Sequence, residues 1–376
     1  MKLARPLRFE PALSLRGLLA SARPGSTPDP FRGRDVEWLF CGTVAVYRAA
    51  RRLGLREGDE VLVPAYNCGI EVDALLHAGA RVAFCRVGRD GRLDLDDVER
   101  QRTASSRAVL VIHYFGFPQD IEAIVEWARP RHLHVIEDCA HAWLSRAGDR
   151  HLGTFGNVGV YSPRKSLALM DGGVLLAGHE PEPPGPPLAP PAWQHGLREL
   201  VDSLGRGLTP VLGEPLRVLV RDWRPGGVEP LIDLGSEHFP SLVGRLDWRM
   251  SALSRRILMA TDHAEVFRRR RANYLQLLAS LPRREGLRPL FEELPEGVCP
   301  LHFPLIATDR EALHRAMRAR GIGSFRFWRW SHPLIPQREQ PEASWLRAHV
   351  LTLPIHQDLG EPDIAFMADA LEAATR

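Results

Sequence analysis

The chain has 376 residues, 44% of them hydrophobic and 25% charged. That is material for two to three folded domains and excludes a disordered chain. A formal net charge of +3 demands no nucleic-acid partner, and no apolar run approaches the roughly 18 residues of a membrane helix. The five cysteines include no C-x-x-C pair, which fits reduced thiols in the cytoplasm better than a disulfide framework.

In chain order, ALSLRGLLASA (12–22) has a faint signal-peptide look, but Arg16 interrupts it, and a short helix in an N-terminal segment 1–35 is expected. CGT (41–43) then precedes the helical pattern VAVYRAARRLG (44–54). EVLVPAY (60–66), RVAFCRV (81–87), AVLVIHYFG (108–116) and HVIEDCAHA (134–142) read as strands, as do VGVYS (158–162) and GGVLLAG (172–178). Between them, residues 71–79, 93–102 and 120–130 read as helices. Strands alternating with helices at this spacing predict an α/β fold with a mostly parallel sheet. Near-continuous apolar strands predict that both sheet faces are covered.

PEPPGPPLAPP (181–191) is a proline-rich surface excursion, and residues 260–282 read as one long Arg-rich helix. The last third suggests a smaller α+β unit: strands at 302–307 and 350–354, helices at 309–321 and 361–374. The expected division is a large domain over 36–255 and a small C-terminal domain over 256–376.

Nearly every cation is arginine: of 49 Lys and Arg, the only lysines are Lys2 and Lys165. Arginine cannot supply a neutral amine, whereas lysine can, and then it attacks carbonyls to form a Schiff base. An interior lysine that stands against this trend is therefore a candidate for chemistry. Its surroundings strengthen the case. Ligands of open α/β sheets bind beyond the carboxyl ends of the strands, where Tyr66, His113, Asp138, His141 and Ser162 fall. Gly42 and Thr43 open a helix, whose first N–H groups suit a phosphate. Asp138 ends an apolar strand, where a carboxylate is costly unless paired. A protonated pyridine nitrogen would pair with it. Phosphate grip, carboxylate and lysine are together what pyridoxal 5'-phosphate requires.

In these motifs the chain resembles the DegT/DnrJ/EryC1/StrS (sugar) aminotransferases, of fold type I of the pyridoxal-phosphate enzymes, over about residues 38–376. The resemblance rests on CGTVAVYRAARRLGLREGDEVLVPAYNC (41–68), IHYFGFPQDIEAI (112–124), VIEDCAHA (135–142), LGTFGNVGVYSPRKSLALMDGG (152–173), WRMSALSRR (248–256) and LTLPIHQDL (351–359). It implies a large domain with a mostly parallel central sheet flanked by helices, plus a smaller C-terminal α+β domain. It further implies that Lys165 binds the cofactor covalently and moves the proton, that Asp138 pairs with the pyridine nitrogen, and that His141 replaces a frequent glutamine near the ring hydroxyl. Gly42, Thr43 and Ser162 would hold the phosphate. Members are homodimers whose sites are completed by the neighbour's loop before Arg249-Met250-Ser251.

Three positions depart from the family pattern. Ser162 stands three residues before the lysine rather than five. The aromatic residue that stacks on the ring aligns with Cys68, so Tyr66 or another group would cover it. The family's phosphate-binding asparagine aligns with Asp247, which would repel a phosphate.

The implied reaction moves an amino group from a small-molecule donor, glutamate or glutamine, to a keto sugar carried on a nucleotide. SFRFWRWSHP (324–333) offers a substrate surface, with Arg326 and Arg329 for phosphates and Trp328 for a base or sugar face. The same pattern equally describes a packed aromatic cluster with arginines reaching over it. A lyase or dehydratase is disfavoured because related sugar dehydratases carry histidine at the lysine position. A non-catalytic cofactor-binding regulator is disfavoured by the intact lysine and aspartate. There is no G-x-G-x-x-G after a strand, no Walker A motif, and no H-E-x-x-H or Cys/His cluster to suggest a metal. Cys139 and His141 lack a third group to make a nucleophile pair.

Overall fold

A computed structural model describes residues 6–13, 25–178, 187–191 and 236–375. The expected helix at 12–22 lies almost wholly outside these residues, as does 181–186 of the proline-rich excursion.

Seven strands form the main sheet: β1 (Val36–Leu39), β2 (Glu60–Pro64), β3 (Arg81–Cys85), β4 (Ser106–Ile112), β5 (His134–Cys139), then β8 (Val158–Tyr161) and β9 (Gly173–Ala177). A small hairpin, β6 (Arg146–Ala147) with β7 (Arg150–His151), lies between them in sequence. The spatial order is β1-β9-β8-β5-β4-β2-β3. Strands β3, β2, β4, β5 and β8 run parallel, and β9 pairs antiparallel with both neighbours. The period-2 alternation of a strand divides the sheet's apolar residues between two cores. Ala108, Leu110 and Ile112 face one, and Val109 and Val111 face the other.

The linking helices follow their sequence signals. Helix α1 (Gly42–Arg52) buries Val44, Ala45, Val46, Ala49 and Ala50, and packs against β8, β9 and α2 (Ile70–His77). Asp94 caps α3 (Leu95–Gln101) by accepting from the Asp97 amide at 3.0 Å, as the aspartate cluster predicts. Helix α4 (Ile121–Ala128) buries Ile121, Ile124 and Ala128 at helical spacing.

The long Arg-rich helix expected at 260–282 is α6 (His263–Ala279), set off by a break from the preceding α5 (Ala252–Ala260). The break comes at Asp262, whose side chain caps α6 by accepting from the Glu265 amide at 2.9 Å. The expected domain division at 255/256 falls within α5. Beyond α6 lies a second, antiparallel sheet, ordered β10 (Leu287–Pro289), β11 (Phe303–Ala307), β13 (Val350–Leu353), β12 (Phe325–Arg326). Helices α7 (Arg310–Ala319), α8 (Pro341–His349) and α9 (Glu361–Ala374) accompany it. Among the described residues no helix is long and apolar enough to cross a membrane.

Arg270 of α6 ties this part to the main sheet. Its guanidinium, 1% exposed, donates to the carbonyls of Leu301 and Ser166, both at 2.8 Å, and to Gln357 Oε1 at 2.9 Å. Ser166 directly follows Lys165, so this arginine fixes the turn that carries the lysine.

Candidate active site

The parallel strands deliver their polar ends to one edge of the sheet. Asp138 sits near the end of β5, Ser162 just beyond β8, and Lys165 closes the short turn Pro163–Lys165. The start of α1 meets this edge. A Cβ on Gly42 would stand 3.2 Å from Ser162 Cβ, so glycine lets the helix start approach the serine. No side chain caps α1, and its first N–H groups have no partner within the helix. Gly42, Thr43, Asp138, Ser162 and Lys165 line one cleft together with Cys68, Glu71 and Arg164.

Lys165 Nζ lies 3.2 Å from His141 Nε2. Burial, reinforced by the charge of Lys165, holds the His141 imidazole well below its usual pKa. The ring is therefore neutral at physiological pH and can accept a hydrogen bond from the lysine without adding charge. Asp138 accepts from the Ala140 amide at 2.8 Å and is 8% exposed. Burial, and secondly the charge of Glu71, push its carboxyl up to about 6, against the pull of Lys165. Buried and lacking a full cationic partner, this carboxylate has the environment that a bound cation would relieve.

This gives a pH signature. A folded-state pKa raised above the unfolded value stabilises the protonated side. The cofactor-free protein should lose stability as pH rises from about 4 to about 6, by roughly 3 kcal/mol at 1.36 kcal/mol per unit. The Asp138→Asn variant should lack this loss. Parallel thermal melts of the two proteins across that range check it, and coincident curves would refute it.

The other sequence-identified residues lie outside the cleft lining. Tyr66, fully buried, packs its ring 4.9 Å from Trp328 and 5.3 Å from Tyr114. Its hydroxyl has no partner among the described residues. Trp328, whose backbone is left-handed (φ 47°), is buried against Phe327 at 4.7 Å and His141 at 5.3 Å. Tyr66 and Trp328 thus form an aromatic wall that reaches Lys165 through His141. Arg326 is held by Glu311 at 2.9 Å, and Arg329 lies over the exposed Trp330 ring at 4.7 Å. The stretch 324–333 accordingly packs as an aromatic cluster with arginines over it.

Sequence reasoning missed Glu71 and Arg164 as cleft residues, and met Cys68 only as the residue standing at the family's ring-stacking position. The G-x-E signal at 69–71 was available: Gly69 (φ 93°) precedes α2, and Glu71 in the first turn reaches back to the Cys68 amide. His113, Glu137 and Cys139 place ligand atoms within 4.8 Å of one another. However, the carboxylate of Glu137 is already hydrogen-bonded by three backbone amides and His113, which makes it part of the fold.

A doubly covered, mostly parallel sheet with a lysine, a carboxylate and a helix start at its carboxyl edge defines a fold type I protein of the pyridoxal-phosphate class. Residues 39–181, which contain every lining residue of the cleft, match the DegT/DnrJ/EryC1/StrS aminotransferase family. That match spans a little over a third of the chain.

Similarity to individual proteins extends beyond this segment. A GDP-perosamine synthase of Escherichia coli O157:H7 is 36% identical over 138 residues, 36% of this chain and only 38% of that relative's length. A dTDP-4-dehydro-2,3,6-trideoxy-D-glucose 4-aminotransferase of Saccharopolyspora spinosa is 29% identical over 352 residues, 90% of this chain and 84% of that one. Among solved structures, a Streptococcus pneumoniae protein in its PMP form matches with a TM-score of 0.71 at 14% identity, over 98% of each chain. That is a likeness of fold.

Proposed function

We propose that this protein is a pyridoxal 5'-phosphate-dependent aminotransferase that moves an amino group from glutamate or glutamine to a keto sugar carried on a nucleotide. The observation that carries the reading is the Lys165–His141 contact in a cleft whose donor set fits the cofactor. The N–H groups that open α1, with the hydroxyls of Thr43 and Ser162, suit a phosphate, and the buried Asp138 suits a ring cation. The relatives named above act, by their names, on nucleotide-linked sugars.

When bound, the cofactor supplies an aldehyde for the lysine and a ring that accepts electrons. The rest falls to the chain. Asp138 holds a positive charge at the ring nitrogen. His141 keeps Nζ of Lys165 in place, and Nζ takes the proton from the carbon of the amino donor and returns one to the carbon of the acceptor. The aromatic wall of Tyr66, Trp328 and Phe327 keeps water from the lysine's inner side.

A homodimer with shared sites is part of this reading. Arg249-Met250-Ser251 itself is anchored by bonds from the Met250 amide to Trp38 O and from the Ser251 amide to Asp171 Oδ1, both at 3.0 Å. Asp247 and Arg249 are exposed, as a loop that reaches a neighbour requires. The five thiols are unpaired, in keeping with a cytoplasmic protein.

The test is a panel of amino donors and nucleotide-linked keto sugars, read by the interconversion of the cofactor's aldehyde and amine spectra. Conversion by glutamate or glutamine, reversed by a keto sugar, is expected. Cofactor retention without conversion by any donor would favour a regulator, and release of ammonia from an amine would favour a lyase.

A further inference from the structure

Two carboxylates line this cleft, and a pyridine nitrogen gives a partner to only one. Asp138 is the first. The second is Glu71, on the first turn of α2 and 4% exposed. Among the described residues, its carboxylate is hydrogen-bonded only within its own turn. Oε1 accepts from the Cys68 amide at 3.1 Å, and Oε2 from the Cys68 thiol at 2.7 Å. Neither donor carries a charge, and a buried carboxylate without a cation is costly. A helix cap alone would need the amide bond but not a buried position in the cleft.

We propose that Glu71, oriented by Cys68, is a positioning residue for the cofactor: a second negative charge that keeps the bound ring and its link to Lys165 protonated. This rests on the pyridoxal-phosphate reading and deepens it. The charged and titratable groups around Glu71 are Cys68 on its own turn, Asp138 from β5, Lys165, Tyr114 and, from α8, Arg347. Arg347 does not neutralise Glu71 by direct contact. Its Nε and Nη2 donate to the carbonyls of Trp330, Ala65 and Asn67 at 2.9–3.1 Å, and its Nη1 faces Ala343 O at 3.5 Å. The thiol of Cys68 is raised by burial first and by Glu71 second, so Cys68 serves as a neutral donor rather than as a nucleophile.

The test uses the cofactor-loaded protein and two variants. In Glu71→Gln, the side-chain carbonyl still accepts from the Cys68 amide, so the turn is kept while the charge is lost. The pH midpoint of the bound chromophore's absorbance change should fall by about one unit, a tenfold loss of proton affinity. Cofactor retention on dialysis should weaken about tenfold. In Cys68→Ala the carboxylate remains with one fewer donor, and the midpoint should hold or move upward. An unchanged midpoint and retention in Glu71→Gln, with only a lower melting temperature, would reduce Glu71 to a helix cap and overturn the proposal. So would an equal fall in Cys68→Ala, which would point to shape rather than charge. A wild-type protein that binds no chromophore at all would instead sink the underlying cofactor reading.

Discussion

Replacing Lys165 with alanine should lower transamination by at least about 10⁴-fold, because one side chain supplies both the covalent attachment and the proton transfer. Lys165→Arg should fail to the same extent. Its guanidinium keeps the positive charge but cannot become a neutral nucleophile, which matters in a chain that uses arginine almost everywhere else. Neither variant should unfold the protein. The lysine is half-buried, and its one side-chain hydrogen bond among the described residues runs to a neutral imidazole. The turn that carries it is held from outside by Arg270 and by Gln357, which donates to Ser166 O at 3.1 Å. Borohydride treatment of the loaded wild-type protein, followed by peptide mass spectrometry, should find the cofactor on Lys165. An adduct elsewhere, or a Lys165→Ala enzyme that turns over with normal melting, would remove the lysine from the reaction.

The residues of the main sheet and its cleft were legible because each carries a local signal. Gly42 and Thr43 open a helix, Asp138 stands at the end of an apolar strand, and Lys165 is a lone lysine among arginines. What escaped depends on pairings distant in sequence. Strand β1 is four residues long and becomes a strand only by pairing with β9, more than 130 positions later. Arg270 is one of four consecutive arginines, 268–271. Successive helical residues turn by about 100°, so one had to face inward, but the pattern does not say which. Glu71 looks like part of an ordinary turn until the fold brings it into the wall that holds Asp138. The tryptophans and arginines of 324–333 show the opposite difficulty. Their composition suits a ligand surface and a packed cluster equally, and only burial separates the two.

The largest expected effect on stability comes from Glu137, the neighbour of Asp138 that points to the other side of β5. Its Oε1 accepts from the amides of Phe155 and Gly156, each at 2.6 Å. Its Oε2 accepts from the Gly153 amide at 2.7 Å and meets His113 Nε2 at 3.2 Å. Because His113 Nδ1 accepts from the Gln119 amide at 3.1 Å, the proton lies on Nε2, which donates to Glu137. The carboxylate thus satisfies four buried donors. The loop it gathers comes so close that a Cβ on Gly156 would lie 2.5 Å from Val135 O. Glu137→Ala strips the acceptor from all four. At about 1–3 kcal/mol for each buried group left unpaired, the loss is of order 5 kcal/mol, a large share of a typical folding stability. The melting temperature should fall by about 10 °C, or the protein should fail to accumulate in soluble form. Glu137→Gln should cost less, because one oxygen can still serve Phe155 and Gly156 while its amide group opposes the other two donors. Denaturant titration of both variants checks the order, and a Glu137→Ala protein within 1 kcal/mol of wild type would mean that water takes over the carboxylate's place. Cofactor retention should decline with stability in this series. The loop at 153–156 leads directly into β8, and a β8 that shifts against β5 carries Ser162 and Lys165 away from Asp138.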